Sequence, residues 1–308
     1  MKVVENRWKF VILPVLVVVL GIVMYCVHGG FNFDIEFLGG TRMQVELNSE
    51  FDNDEVAKLI YDKTGASAKV QKSGSSATQA IIKVQATDDE DATKTAVMDT
   101  LSEKFGITND QLISQSTASA SFGMEVQRKA LLYTLLAIAC ILVYIAIRFE
   151  WRSAVMAVIG LAINVLIMAA AYSITNIALN TTFIAAMLTV IGYSINNTII
   201  IFDRIRENMK GRRKNNTVSE VVNNAVKETM GRTINSTITT LITIVLIYIL
   251  GVSAIKEFAL PLIVGIIAGA YTSIFIASSF WAVWKESELK TRAEAAAQRR
   301  SEKKNNKK

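Results

Sequence analysis

Six polar side chains share one face of a stretch that is otherwise apolar. Arg232, Asn235, Ser236, Thr239, Thr240 and Thr243 are spaced i, i+3, i+4, i+7, i+8 and i+11, a single stripe along about three turns of α-helix. Polar groups in lipid are expensive, so such a stripe is expected to face a bundle interior or a water-filled cavity. Two readings are open. The stripe lines a hydrated path with Arg232 as its fixed charge, or its hydroxyls and amides hold neighbouring helices together, at ~0.6–2 kcal/mol each. Arg232 could also snorkel to the membrane interface. Asn164 lies near the middle of another apolar run, and Ser194, Asn196, Asn197 and Thr198 lie in the next. That run ends in Asp203 and Arg204, with Arg206 just beyond, and these three read as a charge network at its cytoplasmic end. The central part of every apolar run lacks Asp and Glu. A proton path usually needs a titrating group at depth. An asparagine amide cannot titrate, although it can hydrogen-bond or help coordinate an ion.

Other chemistries are poorly represented. The only histidine is His28, at a membrane edge, where a structural or interfacial role fits. No metal-ligand or nucleophile constellation stands out, so neither enzymatic activity nor a cofactor or metal is expected. Cys26 and Cys140 both lie in apolar runs, which argues against a disulfide framework.

The elements that must position the polar residues follow from composition. The chain has 308 residues, 51% hydrophobic and 19% charged, with 2 prolines and a formal net charge of +6. Residues 31–120 carry a net −7 and the remainder a net +13. A bilayer core of ~30 Å needs ~20 apolar helical residues. Runs free of Asp, Glu, Lys and Arg cover 10–28, 130–147, 153–202, 233–255 and 258–284. The third is long enough for two spans, 153–172 and 182–202, around the polar turn SITNIALNT. Six spans result. The first is longer than a signal-peptide core, has Glu5 in its leader and lacks a small-x-small cleavage site, so it is expected to remain as an anchor. Gly265 and Gly269 form a GxxxG in the sixth span, Pro14 lies in the first, and Pro261 is expected in the first turn of the sixth.

Lys and Arg set the orientation. They crowd the N-terminus, the turn RFEWR, the loop 203–232 and the tail, which has nine after Trp284. Both termini are therefore expected in the cytoplasm of a multi-pass cell-membrane protein. The expected organisation is an anchor at 1–28, an extracytoplasmic domain at 29–128, five further spans at 129–284 and a solvated basic tail at 285–308. The tail could also attract anionic membrane lipid. Nucleic-acid binding is not expected, since there is no folded basic module.

The outside domain reads as α+β. In FDIEFLGGTRMQVEL (33–47), Phe33, Ile35 and Phe37 alternate before a Gly-Gly pair, and Met43, Val45 and Leu47 after it. Gly39-Gly40 makes a tight turn or admits another backbone at close range. Asp52 and Glu55 can cap a helix ending at Gly65, and strand-like segments follow at 66–71 and 80–85 around the turn SGSS. Thr87 to Glu90 reads as a capping box before a helix that stops at Gly106, and 110–119 is extended. The order β-α-β-β-α-β is the ferredoxin-like pattern.

These strings carry a resemblance. FDIEFLGGT, RFEWRSAV, IGYSINNTIIIFDRIREN (191–208), TMGRTINSTITTL (229–241) and LIVGIIAGAYTSIFIAS (262–278) resemble the SecF family, the smaller membrane subunits of the bacterial SecDF complex. The resemblance implies an RND-type half-transporter with one outside domain, pairing with SecD. It implies assistance to the SecYEG channel late in protein export, drawing the translocating polypeptide outward at the expense of an ion gradient. Two positions depart from the family pattern. The family's Ser-x-Asn-Asp-Thr reads here Ser194-Ile195-Asn196-Asn197-Thr198, and its His-Asp before valine reads Ile163-Asn164 before Val165. Each amide is a near-isostere of an aspartate without the cost of a buried charge. Their paired presence suggests one shared site and puts ion coupling through this chain in doubt. A non-coupling scaffold of the same complex and a stand-alone RND-type transporter are the alternatives. The second usually holds twelve spans and two outside domains, whereas six and one are read here.

Overall fold

The computed structural model describes residues 2–73, 78–87, 89–148, 150–212 and 216–305. Among them, six helices are long and apolar enough to cross a membrane. They are α1 (Arg7–Val27), α5 (Ala120–Arg148), α6 (Trp151–Thr175), α7 (Thr181–Lys210), α8 (Val218–Leu250), and a last one built from α9 (Ser253–Tyr271), a π-helical turn (Thr272–Ala277) and α10 (Ser278–Asn305). Between α1 and α5 lie a helical turn α2 (Ile35–Leu38), β1 (Gly40–Glu46), α3 (Asn53–Thr64), β2 (Ala68–Ser73), β3 (Gln79–Gln85), α4 (Glu90–Phe105) and β4 (Leu112–Ala118).

The sheet has the order β2-β3-β1-β4 and is antiparallel throughout. With α3 and α4 on one face, this is the ferredoxin-like arrangement. Met43, Val45, Leu47, Val56, Ile60, Ile82, Val97 and Leu101 form its core. Asp52 caps α3 by accepting from the amides of Asp54 and Glu55, both at 3.0 Å, and Gly65 ends it in the left-handed region. The cap of α4 is Asp89, which accepts from Ala92 N at 2.9 Å, and not Thr87. The Thr87 hydroxyl turns instead to the Asp89 carbonyl and to Thr93. Beyond Ser73 the SGSS turn lies outside the described residues.

The segment before Gly39 departs from the strand expectation. Asp34 accepts from Glu36 N at 3.4 Å and starts a single helical turn, and Gly39 at φ +85° ends it. Phe33 and Asp34 pair with Leu179 of the α6–α7 loop, with Asp34 N donating to Leu179 O at 2.8 Å. The alternation therefore serves two cores. Phe37 packs into the membrane bundle, while Met43 and Val45 pack into the sheet domain. Gly40, at φ +143°, is the close-approach position, since a Cβ there would collide with the Val84 carbonyl oxygen of the adjacent strand.

In the bundle, Gly21 lets α1 press on Ala170 of α6, and a Cβ on Gly265 would lie 2.5 Å from Val190 of α7. The GxxxG thus brings the last span against the fourth. Pro261 is not in a first turn. The helix begins at Ser253, across Lys256 and Glu257, because Asn180 donates to Glu257 at 2.7 Å and satisfies it. The tail is not simply solvated either. α10 continues past Trp284, and Arg152 pairs with Glu288 at 2.7 Å and Lys285 with Glu150 at 2.9 Å. At this end, remote from the sheet, Val3 and Val4 are buried, and their amides donate to Asn223 Oδ1.

Candidate functional site

The interior of the bundle holds a neutral polar cluster. Asn164 of α6 donates through Nδ2 to Ser194 Oγ of α7 at 3.1 Å. Its Oδ1 accepts from the Thr272 hydroxyl at 2.6 Å. The hydroxyls of Thr198 and Ser273 bond each other at 2.7 Å. All five side chains are buried. Thr272 and Ser273 open the π-helical turn, whose extra residue per turn displaces the helix locally and presents both hydroxyls to α6 and α7. Gly269 admits Ser194, since a Cβ there would clash with the serine oxygen. Asn197 is also buried, one helical turn from Ser194, but its Nδ2 has no hydrogen-bond partner among the described residues. No hydrogen bond links Asn164 to Asn197 among those residues.

The stripe on α8 does not join this cluster. The buried face of α8 carries Thr229, Thr233 and Thr237, together with Val222 and Val226. Arg232, Asn235, Thr239 and Thr243 are exposed, and Ser236 and Thr240 half-exposed. Within this chain the stripe faces away from the bundle, since spacing defines a face and not what covers it. Thr239 and Thr243 turn their hydroxyls back to carbonyls one turn earlier, Asn235 O at 3.1 Å and Thr239 O at 3.2 Å. Arg232 makes no ion pair with a carboxylate among the described residues. Asn196 of α7 is likewise exposed, while Thr198, three-fifths of a turn on, is buried.

The charges at the far end form two groups rather than one network. Arg204 donates from Nε to Glu228 and from Nη1 to Glu207, both at 2.6 Å. Asn208 donates to the same Glu228 oxygen at 2.9 Å, and the pair is open to solvent, so it contributes little to stability. Asp203 lies 3.7 Å from Arg148, and Arg206 donates to the Arg148 carbonyl at 3.4 Å.

A third constellation was not legible in the sequence. Lys83 of β3 and Asp34 form a buried pair at 2.6 Å, with Glu257 of α9 at 4.0 Å from the same ammonium. Glu36 accepts from Thr181 N at 2.9 Å, and Gln127 of α5 donates to Phe37 O at 3.0 Å. Burial pushes the nearby Lys69 ammonium down, against the pull of Asp34, with Lys83 adding to the fall and Glu257 opposing it. This junction ties the sheet domain to the bundle. His28, at the end of α1, donates from Nδ1 to Ser173 O of α6 at 3.1 Å and so joins two spans of the bundle. What the local sequence shows of the junction is a lone Lys in an apolar strand, Ala-Ile-Ile-Lys-Val, without its partner Asp34, which lies 49 positions away.

Comparison with known proteins agrees with this architecture. The family described as protein export membrane protein SecD/SecF, C-terminal, matches residues 97–287. The protein translocase subunit SecF of Alicyclobacillus acidocaldarius is 36% identical over 297 residues, covering 95% of this chain and 96% of that relative. The protein translocase subunit SecDF of Bacillus subtilis is 34% identical over 93% of this chain, which spans 38% of that longer protein. A crystal structure of SecDF from Thermus thermophilus, titled a translocon-associated membrane protein, superposes with a TM-score of 0.79 at 28% identity, covering 92% of this chain and 38% of that one. Six membrane helices, a ferredoxin-like insert after the first, and near full-length matches together place the chain in the SecD/SecF family of protein-export membrane proteins, as a SecF-type translocase subunit.

Proposed function

We propose that the chain works as the partner-dependent half of a SecDF-type assembly, with α8 and the exposed face of α7 docked on the spans of a SecD. The observation that carries this is the outward stripe. Arg232, Asn235, Thr239 and Thr243 are exposed on a membrane-spanning helix, without a carboxylate to meet the arginine among the described residues. Polar groups at that depth need a protein or aqueous surface, which a second bundle supplies. Relatives named SecDF, in which this chain matches about two-fifths of the length, support SecD as that surface. The sheet domain then stands outside the cell membrane, both termini lie in the cytoplasm, and the assembly assists release of polypeptides from the SecYEG channel without enzymatic chemistry of its own.

In this reading the interior cluster is structural. Asn164 and Asn197 give it no titrating group, so a gradient, if it drives release, acts through a carboxylate on SecD opposite Arg232. The scaffold reading, in which no gradient is used, is favoured by the same neutral core. The two separate in one experiment: release of a secreted protein from spheroplasts containing this chain and SecD, with the ion gradient intact or collapsed by ionophore. Gradient-dependent release that disappears in Arg232→Ala, with complex abundance unchanged, is the expected result. Release that is indifferent to both treatments overturns coupling and leaves the scaffold.

A further inference from the structure

A cavity of about 270 Å³ opens between α6, α7 and α10 at the end of the bundle remote from the sheet. Its level in the membrane is marked by tryptophan. All four tryptophans lie at this end: Trp8 against Phe280, Trp151 against Trp284 at 5.0 Å, and Trp281 against Phe202. Indole rings gather where acyl chains give way to headgroups. The cavity wall is apolar on one side, with Phe202, Met209 and Trp281, and cationic on the other, with Arg206, Lys210 and Lys285.

The three cations differ. Lys285 is engaged by Glu150, which also lines the cavity, and by Glu288 at 3.4 Å. Arg206 and Lys210 pair with no carboxylate among the described residues, and the one hydrogen bond of Arg206 goes to the Arg148 carbonyl. Among the described residues that line it, the cavity therefore keeps a net positive charge after Glu150 is matched. One further group lacks a partner. The Trp281 indole is buried, and its N–H finds no acceptor among the described residues. A buried donor without an acceptor is costly.

We infer that this cavity binds a phosphodiester anion, the headgroup phosphate of an anionic phospholipid. A phosphodiester carries one negative charge and acceptor oxygens for a guanidinium, an ammonium and an indole N–H. Its glycerol and first methylenes match the Phe202 and Met209 side of the wall. Basic pockets between membrane helices are recognised sites for such headgroups. The inference rests on the membrane placement of the chain and not on docking to SecD.

The test uses the full chain in nanodiscs of phosphatidylcholine with a minor share of phosphatidylglycerol, with retained lipid read by native mass spectrometry. Wild type should retain phosphatidylglycerol selectively. Lys210→Gln, at an exposed position, should lower that selectivity roughly 5-fold, and Arg206→Gln with Lys210→Gln roughly 10- to 30-fold. Arg206→Lys with Lys210→Arg keeps both charges and should keep most of the selectivity. In a second arm, inorganic phosphate is added. Retention unmoved by phosphate identifies the lipid as the source, and displacement with bound phosphate identifies a free-anion site of the same chemistry. Equal retention of both lipids by wild type, or selectivity untouched in Lys210→Gln and in the double glutamine variant, overturns the inference.

Discussion

Lys83→Ala is expected to detach the sheet domain from the membrane bundle while leaving both folded. Lys83 is the cation that both Asp34 and Glu257 face, at 2.6 and 4.0 Å, and its side chain and that of Asp34 are buried. Removing one member of a buried pair leaves the other charged and desolvated, which costs about 3–5 kcal/mol. Each domain keeps its own core, so the loss concentrates at the junction, where Asp34 N–Leu179 O and Glu36–Thr181 N are the bonds at risk. Hydrogen exchange in the full chain should accelerate roughly 100-fold at residues 34–38 and 179–183 and little in β1 and β3. Lys83→Met combined with Asp34→Asn removes both charges and should lose much less than the two single changes added together. Unchanged exchange in Lys83→Ala would show that the junction is held by its apolar contacts alone.

Asn164→Asp is expected to be the most damaging conservative change in the bundle. The amide spends its Nδ2 on Ser194 and its Oδ1 on Thr272, and the described residues around it are neutral. A carboxylate loses the donor and adds a buried charge without a counter-ion, at about 3–5 kcal/mol near neutral pH. Asn164→Leu should cost less, because the Thr272 hydroxyl keeps the Gly269 carbonyl at 3.2 Å as an acceptor. The sign of the pH dependence is fixed. Burial raises the folded-state pKa of the new carboxyl above its unfolded value of about 3.9, so the penalty is absent below that value and grows as pH rises. Melting of the purified variant should therefore approach wild type on acidification toward pH 4 relative to pH 8, whereas Asn164→Leu should show no such recovery. A variant equally stable at both pH values would mean that water or a cation already enters the cluster.

What the sequence disclosed divides along physical lines. Spans are set by the length and hydropathy of single segments, and all six were legible from charge-free runs. Their ends were not. Glu257 and Lys285 closed the apolar runs on paper, yet the helices continue because Asn180 and Glu150 satisfy those charges from distant segments. The ferredoxin-like order was readable from Gly65 and Gly106 stops and alternating strands, but FDIEF alternates as a strand while forming a turn that serves two cores. Periodicity found the α8 stripe and could not say what, if anything in this chain, covers it. Asn164 was legible as a polar residue at depth, whereas its partners Thr272 and Ser273 need the π-helical turn, which has no signal in hydrophobic spacing. The Asp34–Lys83 pair spans 49 positions and was invisible to any local reading.

The most direct test of the docking claim places a photo-cross-linking residue at positions 235, 239 and 243, one at a time, in the chain co-expressed with SecD. Leu16 and Leu135 serve as comparison sites, since they are exposed apolar positions on α1 and α5. SecD adducts in membranes at all three stripe positions, and none at 16 or 135, are the predicted result. A chain that still co-purifies with SecD but gives no adduct at 235, 239 or 243 would contradict the account, because the outward stripe would then face something else.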